Sequence, residues 1–414
     1  MKIIYTIIIL MFAFVLGAQP QWVHYTTSNS GLPSNSVLAI LVDSNNVKWI
    51  TTYNGFVRLK GNTWTVYDTT NSGIPTNLCA SVMQDRQNNI WMIIPDKGVV
   101  KFDGINWTFY NDENTGYSLH NITSISIDSL NNKWVGIGGG ILMFNDTVWT
   151  RYHIGNSGIP SNGVLSVYNQ GSIVWVGTYD EGVGRFDGQN WTTYNASNSG
   201  LPSNYINRMN KDLNDNIWFA TLAGGAAKFN YLQNQWTVYN TGNSSIPSNY
   251  VSVVYIDNNN VKWIGTYEGF AIFNDTTWQV FPYSFIGSVR NFAKDRYGNM
   301  WICGGGGIYV YNPAGVVGIE NNTNIVPENY LLIRNYPNPF NSQTKIEVTI
   351  PENTLMSLNI YDINGRLIEQ IAKGNYRKGI YMFSFKGDNL ASGVYFVQLK
   401  TDSKIKVHKI ILQK

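Results

Sequence analysis

The residues best suited to chemistry lie in seven short, turn-like segments that recur along the chain. Four of these segments, TYNG, PDKG, TYDEG and TYEG, supply aromatic, amide and charged side chains, whereas GGG, LAGG and GGGG supply almost none. Aromatic faces beside carboxylates and amides suit the binding of a sugar or a peptide segment. The candidate ligand-binding residues are Tyr53, Asn54, Asp96, Lys97, Tyr179, Asp180, Glu181, Tyr267 and Glu268.

The carboxylates in these segments also raise an enzymatic alternative. Asp180, Glu181 or Glu268 could act as the acid/base groups of a polysaccharide lyase or hydrolase if their surroundings split their pKa values, but no spacing indicates such a split. No nucleophile elbow, P-loop or zinc motif occurs. We therefore assign no catalytic residue, no metal and no cofactor, and favour a non-enzymatic binding or scaffold module. The histidines, which share no metal-ligand spacing, are His24, His120, His153 and His408.

Fourteen tryptophans mark the repeat that must position these segments. One set begins the pattern W-x-x-[YF] and consists of Trp22, Trp64, Trp107, Trp149, Trp191, Trp236 and Trp278. The other set follows an Asn- or Asp-rich turn and consists of Trp49, Trp91, Trp134, Trp175, Trp218, Trp263 and Trp301. Both sets recur about every 42 residues, which indicates seven copies of one supersecondary unit whose core the indoles pack.

Residues 36–67 show one complete unit. SVLAILVD, VKWITT, FVRLK and WTVY read as four short strands joined by tight turns, a pattern typical of a β-propeller blade. The segment WVHY at 22–25 has no unit before it, and the last unit lacks its W-x-x-Y strand. We therefore predict an all-β, seven-bladed β-propeller that the N-terminal strand closes, which removes an open sheet edge.

The phrase NSGIPTN at 71–77 and its copies connect one unit to the next. We expect Gly73 to adopt positive φ, Pro75 to hold the turn extended, Ile74 to fill the seam between blades, and Asn77 to cap the turn. A second recurring polar residue is an aspartate six residues before a tryptophan. We interpret these aspartates as turn caps, because the D-x-N-x-N segment at 212–216 lacks the glycine and distal glutamate of a calcium loop. They are Asp43, Asp85, Asp128, Asp212, Asp257 and Asp295.

The N-terminus, the cysteines and the charge distribution limit where the protein is expected to be located and which partners it is expected to have. Residues 1–18 combine a lysine, a short apolar run and small residues, so we predict a signal peptide, with an uncleaved anchor as the alternative. No transmembrane segment is expected in the mature chain. Cys79 and Cys303 read as buried free thiols. Residues 19–330 carry 16 Lys/Arg against 20 Asp/Glu, which argues against nucleic-acid binding.

After residue 312 the repeat ends. Residues 313–330 read as a linker. Strand patterns then resume in TKIEVTI, SLNIYD, GIYMFSF, GVYFVQLK and KVHKIIL, and DING at 362–365 signals a hairpin. We predict a small Ig-like β-sandwich over 331–414, following a propeller over 19–312.

The string GLPSNSVLAILVDSNNVKWITTYNGFVRL resembles the two-component-regulator propeller repeat, and related strings cover about 22–312. That resemblance implies an extracellular propeller of the kind found in sensor portions of membrane histidine kinases. A detached sensor propeller is therefore a further alternative. The fourth repeat departs most from the pattern, because Asn169 replaces the repeated aspartate.

The tail resembles the type A C-terminal sorting domain of the type IX secretion system. The matching strings are NYPNPFN, IYDINGRLI, LASGVYFVQL and KVHKIILQK. This resemblance implies the type IX machinery as a partner, and a secreted or outer-membrane-surface location in a Gram-negative bacterium, reached through the periplasm. We expect a monomer whose ligand is a glycan or a protein. The residues that match the sorting pattern are Pro337, Gly365, Gly393, Tyr395 and Lys409.

Overall fold

The computed structural model describes residues 21–316, 332–350, 352–377 and 379–414. The predicted signal peptide and most of the predicted linker lie outside these residues. Two one-turn helices occur in the described part, α1 (Asp112–Thr115) and α2 (Tyr283–Ile286). The strands between residues 21 and 316 are β1 (Trp22–Tyr25), β2 (Val37–Val42), β3 (Lys48–Thr52), β4 (Gly55–Lys60), β5 (Thr63–Tyr67), β6 (Val82–Gln84), β7 (Ile90–Ile94), β8 (Gly98–Phe102), β9 (Trp107–Tyr110), β10 (Ser124–Ile127), β11 (Lys133–Ile137), β12 (Gly140–Phe144), β13 (Trp149–Tyr152), β14 (Val164–Gln170), β15 (Ile173–Thr178), β16 (Val183–Phe186), β17 (Trp191–Tyr194), β18 (Ile206–Lys211), β19 (Ile217–Thr221), β20 (Gly225–Asn230), β21 (Gln235–Tyr239), β22 (Val251–Ile256), β23 (Lys262–Thr266), β24 (Gly269–Phe273), β25 (Trp278–Pro282), β26 (Val289–Lys294), β27 (Met300–Gly304) and β28 (Gly307–Tyr311).

These strands form four-stranded antiparallel sheets, one for each sequence repeat. Sheet I contains β2–β5, sheet II β6–β9, sheet III β10–β13, sheet IV β14–β17, sheet V β18–β21 and sheet VI β22–β25. Sheet VII contains β26–β28 together with β1, which pairs with β28 as the sequence predicts. The four strands predicted for residues 36–67 agree with the observed bounds to within a residue or two.

The first strands of successive sheets lie side by side, and β2 of sheet I also contacts β26 of sheet VII. Each sheet has two ends. We call the loop end the one where the second strand turns into the third and where the connector from the preceding sheet arrives. The opposite end, which carries the turns from first to second strand and from third to fourth, is the turn end.

The connectors pack as predicted at Ile74 and Asn77. Ile74 is 3% exposed and lies among buried residues of sheets I and II. The Asn77 side chain accepts a hydrogen bond from the Thr69 amide at 3.0 Å, and its carbonyl accepts one from the Gly55 amide of the preceding sheet at 2.7 Å. The connector is therefore tied to both sheets that it joins.

The prediction of positive φ at Gly73 was wrong. Positive φ occurs instead at glycines of the tight turns, such as Gly182 at the loop end (φ 81°) and Gly61 at the turn end (φ 58°). Glycine is required at position 73 because the backbone there lies close to Trp107. A Cβ atom at this position would lie 2.4 Å from the Cβ atom of Trp107. The connector backbone thus lies directly against the first tryptophan set, which leaves no room for a side chain.

At the turn end the recurring aspartates act as caps, as predicted. In sheet V, one oxygen of the Asp212 carboxylate accepts bonds from the amides of Asn214 and Asn216, both at 2.9 Å. The other oxygen accepts from the Trp218 indole at 2.9 Å. Five sheets share this Asp–Trp bond. In sheet IV, where Asn169 replaces aspartate, Gln170 accepts from the Trp175 indole at 3.1 Å.

Three seams between sheets contain a buried lysine at the start of the second strand. Lys48 reaches from sheet I to Asp295 of sheet VII (3.4 Å) and lies 5.0 Å from the Trp301 ring centroid. Lys133 and Lys262 lie over the tryptophan of the preceding sheet in the same way. At the other four seams the equivalent residue is apolar. These residues are Ile90, Val174, Ile217 and Met300.

The tail forms two further antiparallel sheets with a shared core. The strands are β29 (Leu332–Tyr336), β30 (Gln343–Ile350), β31 (Thr354–Asp362), β32 (Leu367–Tyr376), β33 (Gly379–Lys386), β34 (Gly393–Lys400) and β35 (Ile405–Leu412). One sheet has the order β29-β30-β33 and the other the order β32-β31-β34-β35. Buried residues from both sheets, such as Val348 and Val397, form one cluster. The predicted DING hairpin joins β31 to β32, with Gly365 at φ 77°.

Two further features bear on location. Within the described ranges, no helix has the length and apolar character needed to cross a membrane. Cys79 and Cys303 are buried and free, as predicted, and burial raises the pKa of each thiol to about 12.

Val316 is also buried among residues of sheets I and VII, so the chain remains packed for a few residues beyond Asn312.

Candidate functional site

A cavity of about 700 Å³ opens where the loop ends of the sheets meet. Each of the seven first strands contributes an equivalent residue close to its start. The seven residues are Leu38, Ala80, Thr123, Leu165, Asn207, Ser252 and Arg290. Tyr267 and Tyr283 lie at the rim. We call this cavity the mouth.

The backbone explains why these side chains face the mouth. In five sheets the pairing of first and second strands shifts by one residue near the start of the first strand. Such a bulge leaves one residue unpaired and redirects its side chain. The unpaired residues are Leu38, Leu165, Asn207, Ser252 and Arg290.

Polar side chains at the mouth also join neighbouring first strands. Thr123 donates to the Val164 carbonyl at 2.9 Å, Asn207 donates to the Val251 carbonyl at 2.7 Å, and Ser252 donates to the Val289 carbonyl. These bonds link the first strands of neighbouring sheets beside the cavity.

The mouth continues inward into a second cavity of about 240 Å³, and Arg208 lines both. Burial lowers the pKa of the Arg208 guanidinium. The lining of the inner cavity is otherwise uncharged and includes Ser81, Ser126 and Tyr168. Burial raises the pKa of Tyr168 to about 12.

Four tyrosines form a row beside the mouth on sheets IV–VI. Tyr179 meets Tyr205 edge-on at 5.2 Å between ring centroids, and Tyr250 stacks on Tyr267 at 6.1 Å. Burial, together with the proximity of Tyr179 and Tyr267, raises the pKa of Tyr205, so the two pairs are neighbours. Tyr179, Tyr250 and Tyr267 are each about half exposed. We call these four residues the tyrosine row.

The nine predicted binding residues all lie in loop-end turns, but they do not form one site. Tyr267 lines the mouth and Tyr179 belongs to the tyrosine row. The other seven do not line the mouth. The Asp96 carboxylate caps the neighbouring connector by accepting from the Asn121 amide at 3.1 Å, and Asn54 accepts from Asn77 at 3.4 Å.

The remaining predicted residues are exposed at the surface of these turns. They are Tyr53, Lys97, Asp180, Glu181 and Glu268. The carboxylates on which the enzymatic alternative depends therefore lie outside the mouth lining. Among the residues described, no group of three or more His, Cys, Asp or Glu side chains could hold a metal ion.

Sequence reasoning missed Tyr205, Tyr250, Arg208 and Arg290. The tyrosines follow the recurring Ser-Asn pair, where the other repeats have Ser36, Leu78, Asn121, Gly163 and Ser288. The arginines occupy positions at which the other first strands have uncharged residues. A comparison of the repeats position by position would have found both departures.

In the tail, the residues that match the sorting pattern have identifiable local roles. The Tyr395 hydroxyl donates to the Ala391 carbonyl at 2.8 Å, and the Pro337 carbonyl accepts from Thr344 at 2.8 Å. Gly365 forms the hairpin turn, and Gly393 begins β34. Lys409 is exposed on β35, opposite Phe396.

A family model described as a secretion system C-terminal sorting domain matches residues 334–413. This match agrees with the resemblance seen in the tail sequence. It identifies a secreted or cell-surface protein that engages a secretion machinery. No curated protein sequence matches the chain significantly.

Three solved structures are similar to this chain. The extracellular domain of the hybrid two-component system BT3049 from B. thetaiotaomicron has a TM-score of 0.64 and 16% identity, over 95% of this chain and 58% of that one. Virginiamycin B lyase from Staphylococcus aureus has a TM-score of 0.54 and 14% identity, over 70% of this chain and 97% of that one. YCF48 bound to D1 peptide has a TM-score of 0.53 and 13% identity, over 75% of this chain and 100% of that one.

These similarities establish a shared fold, and sheets I–VII are those of a β-propeller. This chain spans 58% of the BT3049 structure, so it corresponds to part of that protein. At such low identities, ligands and activities do not transfer between the proteins.

Proposed function

We propose that this protein is an exported, non-enzymatic binding module. In this proposal a seven-bladed propeller closed by its N-terminal strand presents a glycan-binding site at the loop end. The observation that carries the proposal is the adjacency of the mouth and the tyrosine row. A preformed cavity with a few polar groups and flanking aromatic rings is the usual architecture of a small-ligand site.

Contacts between sheets VII and I support the closed arrangement. Lys48 of sheet I reaches Asp295 of sheet VII, and the Gly307 amide donates to the Asn35 carbonyl at 2.8 Å. Equivalent contacts join other neighbouring sheets, such as the Gly182 amide to the Asn204 carbonyl at 3.1 Å. The seam between first and last sheets thus uses the same bonds as the others.

The proposed domain organisation follows the repeat and the tail. It comprises a signal peptide at 1–18, the propeller at 19–312, a linker at 313–330 and an Ig-like sorting sandwich at 331–414. Two packed antiparallel sheets and the Tyr395 hydroxyl bond to a carbonyl four residues upstream support the Ig-like assignment. The sorting-domain match supports delivery by the type IX machinery.

The tyrosine row favours a sugar as the ligand. Tyrosine rings offer flat apolar faces to the C–H groups of a pyranose, and their hydroxyls can bond to its polar groups. In the enzymatic alternative, the Asp180→Ala/Glu181→Ala/Glu268→Ala variant would abolish product release. The binding module predicts glycan binding without turnover.

A glycan array probed with the full chain tests the proposal. We expect the Tyr205→Ala/Tyr250→Ala variant to lose about tenfold or more in affinity for the glycans that the wild type binds, since two stacking faces are removed. Tyr297→Ala is the matched control, because Tyr297 is an exposed tyrosine at the turn end. Unchanged thermal stability would confirm that both variants fold.

Two results would overturn the proposal. Absence of binding to any glycan would remove the ligand class. Binding that is equal in the wild type and the Tyr205→Ala/Tyr250→Ala variant would place the site elsewhere on the protein.

A further inference from the structure

Among the described residues, two arginines line the cavities without an acidic residue beside them in the lining. Arg208 and Arg290 are the charged residues among the lining residues of both cavities, and no aspartate or glutamate joins them in the described chain. Arg208 faces both cavities, and Arg290 faces the mouth. Two like charges therefore share a confined polar space.

Most hydrogen-bond donors of these guanidinium groups are unused. Arg208 Nη1 donates to the Asn207 carbonyl at 3.3 Å, and Arg290 Nη1 donates to the Val37 carbonyl at 3.5 Å. These are the hydrogen bonds that the described residues make with the two groups. Each guanidinium carries five N–H donors in a planar fork, so both retain donors that could bind an oxyanion in the cavities that they line.

Three lysines at the seams between sheets have carboxylate partners. Lys262 is paired with Asp275 at 2.6 Å, Lys294 with Asp257 at 2.7 Å and Lys48 with Asp295 at 3.4 Å. Burial of a charge is costly unless a partner offsets it. The arginines of the mouth are partly buried and have no carboxylate partner among the described residues, as expected of a site whose counter-charge arrives with the ligand.

We propose that Arg208 and Arg290 bind the anionic group of an acidic sugar whose ring packs on the tyrosine row. This inference rests on the proposed function and adds the charge class of the ligand. The anionic group is a carboxylate of a uronate or a sulfate ester, since both present the oxygen pair that a guanidinium recognises.

A peptide fits the mouth less well. Peptides often bind by adding a strand to a free sheet edge. Here the carbonyls of Val164, Val251 and Val289 already accept bonds from neighbouring side chains, which leaves little free edge. Thr123, Asn207 and Ser252 supply short polar groups around the mouth instead, and these suit the hydroxyls of a sugar.

The test compares charged and neutral forms of the same sugar. Binding of oligogalacturonates, oligoglucuronates, their fully methyl-esterified forms, sulfated galactans and neutral galactans is measured with the full chain by calorimetry. Three variants are used, namely Arg208→Met, Arg290→Met and the control Arg86→Met. Arg86 is exposed at the turn end and lies outside both cavities.

We expect at least one acidic probe to bind about tenfold or more tightly than its neutral form, because a charge-assisted bond is lost in the neutral form. Arg208→Met and Arg290→Met should each remove most of this preference while leaving the weak binding of the neutral form unchanged. Arg86→Met should behave as the wild type. Uronates and sulfated galactans form separate arms, so the result also identifies the anionic group.

Three outcomes would overturn the inference. Equal binding of charged and neutral forms would reject an anion site yet leave the proposed glycan-binding function intact. If Arg208→Met and Arg290→Met also weaken the binding of neutral probes, the arginines have a structural role instead. Binding of tri-alanine with a free but not an amidated C-terminus, without binding of any sugar, would reject both the sugar and the proposed function.

Discussion

The two ends of the propeller sheets differ in how strictly they repeat. At the turn end, the same aspartate–tryptophan bond recurs in five sheets, and sheet IV reproduces it with Gln170. At the loop end, the residue that follows the connector asparagine changes from Ser36 to Gly163 to Tyr205. The residues that face the mouth change just as freely, from Leu38 to Arg290.

This difference separates stability from recognition. A residue that every sheet needs for packing is fixed by the same local geometry seven times. A residue that faces a shared cavity meets no such constraint, so each sheet can contribute a different group. The departures from the repeat at the loop end are therefore where a ligand site should be sought, whereas departures at the turn end should be compensated locally.

The largest effect is expected from the tryptophan that begins β1. Trp22 is 3% exposed, stacks on Tyr311 at 4.3 Å and meets Phe285 edge-on at 4.9 Å. Trp22→Ala should reduce the free energy of unfolding by about 3–5 kcal/mol, measured by urea denaturation. Trp149→Ala, at a half-buried equivalent position, should cost less. Equal stability of Trp22→Ala and wild type would show that β1 does not hold sheet VII.

Two substitutions, one at the turn end and one at the loop end, each remove one carboxylate and so compare the stability contributions of the two ends directly. Asp212→Ala removes the acceptor of the Trp218 indole and of two backbone amides, and should cost about 2–3 kcal/mol. Asp180→Ala, at the exposed loop end, should change stability by no more than about 0.5 kcal/mol. Similar losses for the two variants, measured by urea denaturation, would contradict the division of roles.

A smaller effect on stability is expected when the buried lysine at a seam between two sheets is replaced by an apolar residue. Lys133 is fully buried and lies over Trp91, and Met300 occupies the same position in sheet VII. Lys133→Met should cost about 1–2 kcal/mol, because methionine fills the space but leaves the buried Asp85 carboxylate without the cation 3.9 Å away. Lys133→Ala, which leaves a cavity, should cost about 2–4 kcal/mol. A loss for Lys133→Met as large as that for Lys133→Ala would show that the lost charge, rather than the cavity, sets the cost at this seam.

The smallest expected effect is a pH dependence of the protein's stability, which arises from His24 on β1. Burial lowers the pKa of His24 below 6.5, although a bond to the Gly306 carbonyl opposes the shift. The unfolded chain then binds more protons than the folded chain just below pH 6.5, so stability should fall as the pH is lowered through that range. His24→Gln should remove this contribution. Melting temperatures of both proteins between pH 7.5 and 5.5 measure it, and identical slopes would contradict it.

The sequence predicted most of the fold because packing repeats along the chain. Trp218 belongs to a pattern seen seven times and Asp212 to one seen six times, so their roles could be inferred from spacing alone. Gly73 was misread, because its close approach to Trp107 comes from a neighbouring sheet and leaves no local signal. A positive φ is a local property, whereas this contact is a tertiary one.

The candidate site was predicted only in part. Tyr179 and Tyr267 were found because they lie in conspicuous turns. Arg208 and Arg290 were missed because they occur within strands, where an arginine normally reads as a solvent-facing residue. The one-residue bulge that turns Arg290 towards the mouth depends on pairing with β27, which sequence periodicity does not reveal.

The most direct measurement is hydrogen exchange of the full chain with and without the tightest glycan from the array. The account predicts slower exchange in the loop-end segments 203–208, 249–253 and 287–291, with no change in the turn-end segments 43–47 and 212–216. Protection at the turn end or in the tail, with unchanged exchange around the mouth, would contradict it.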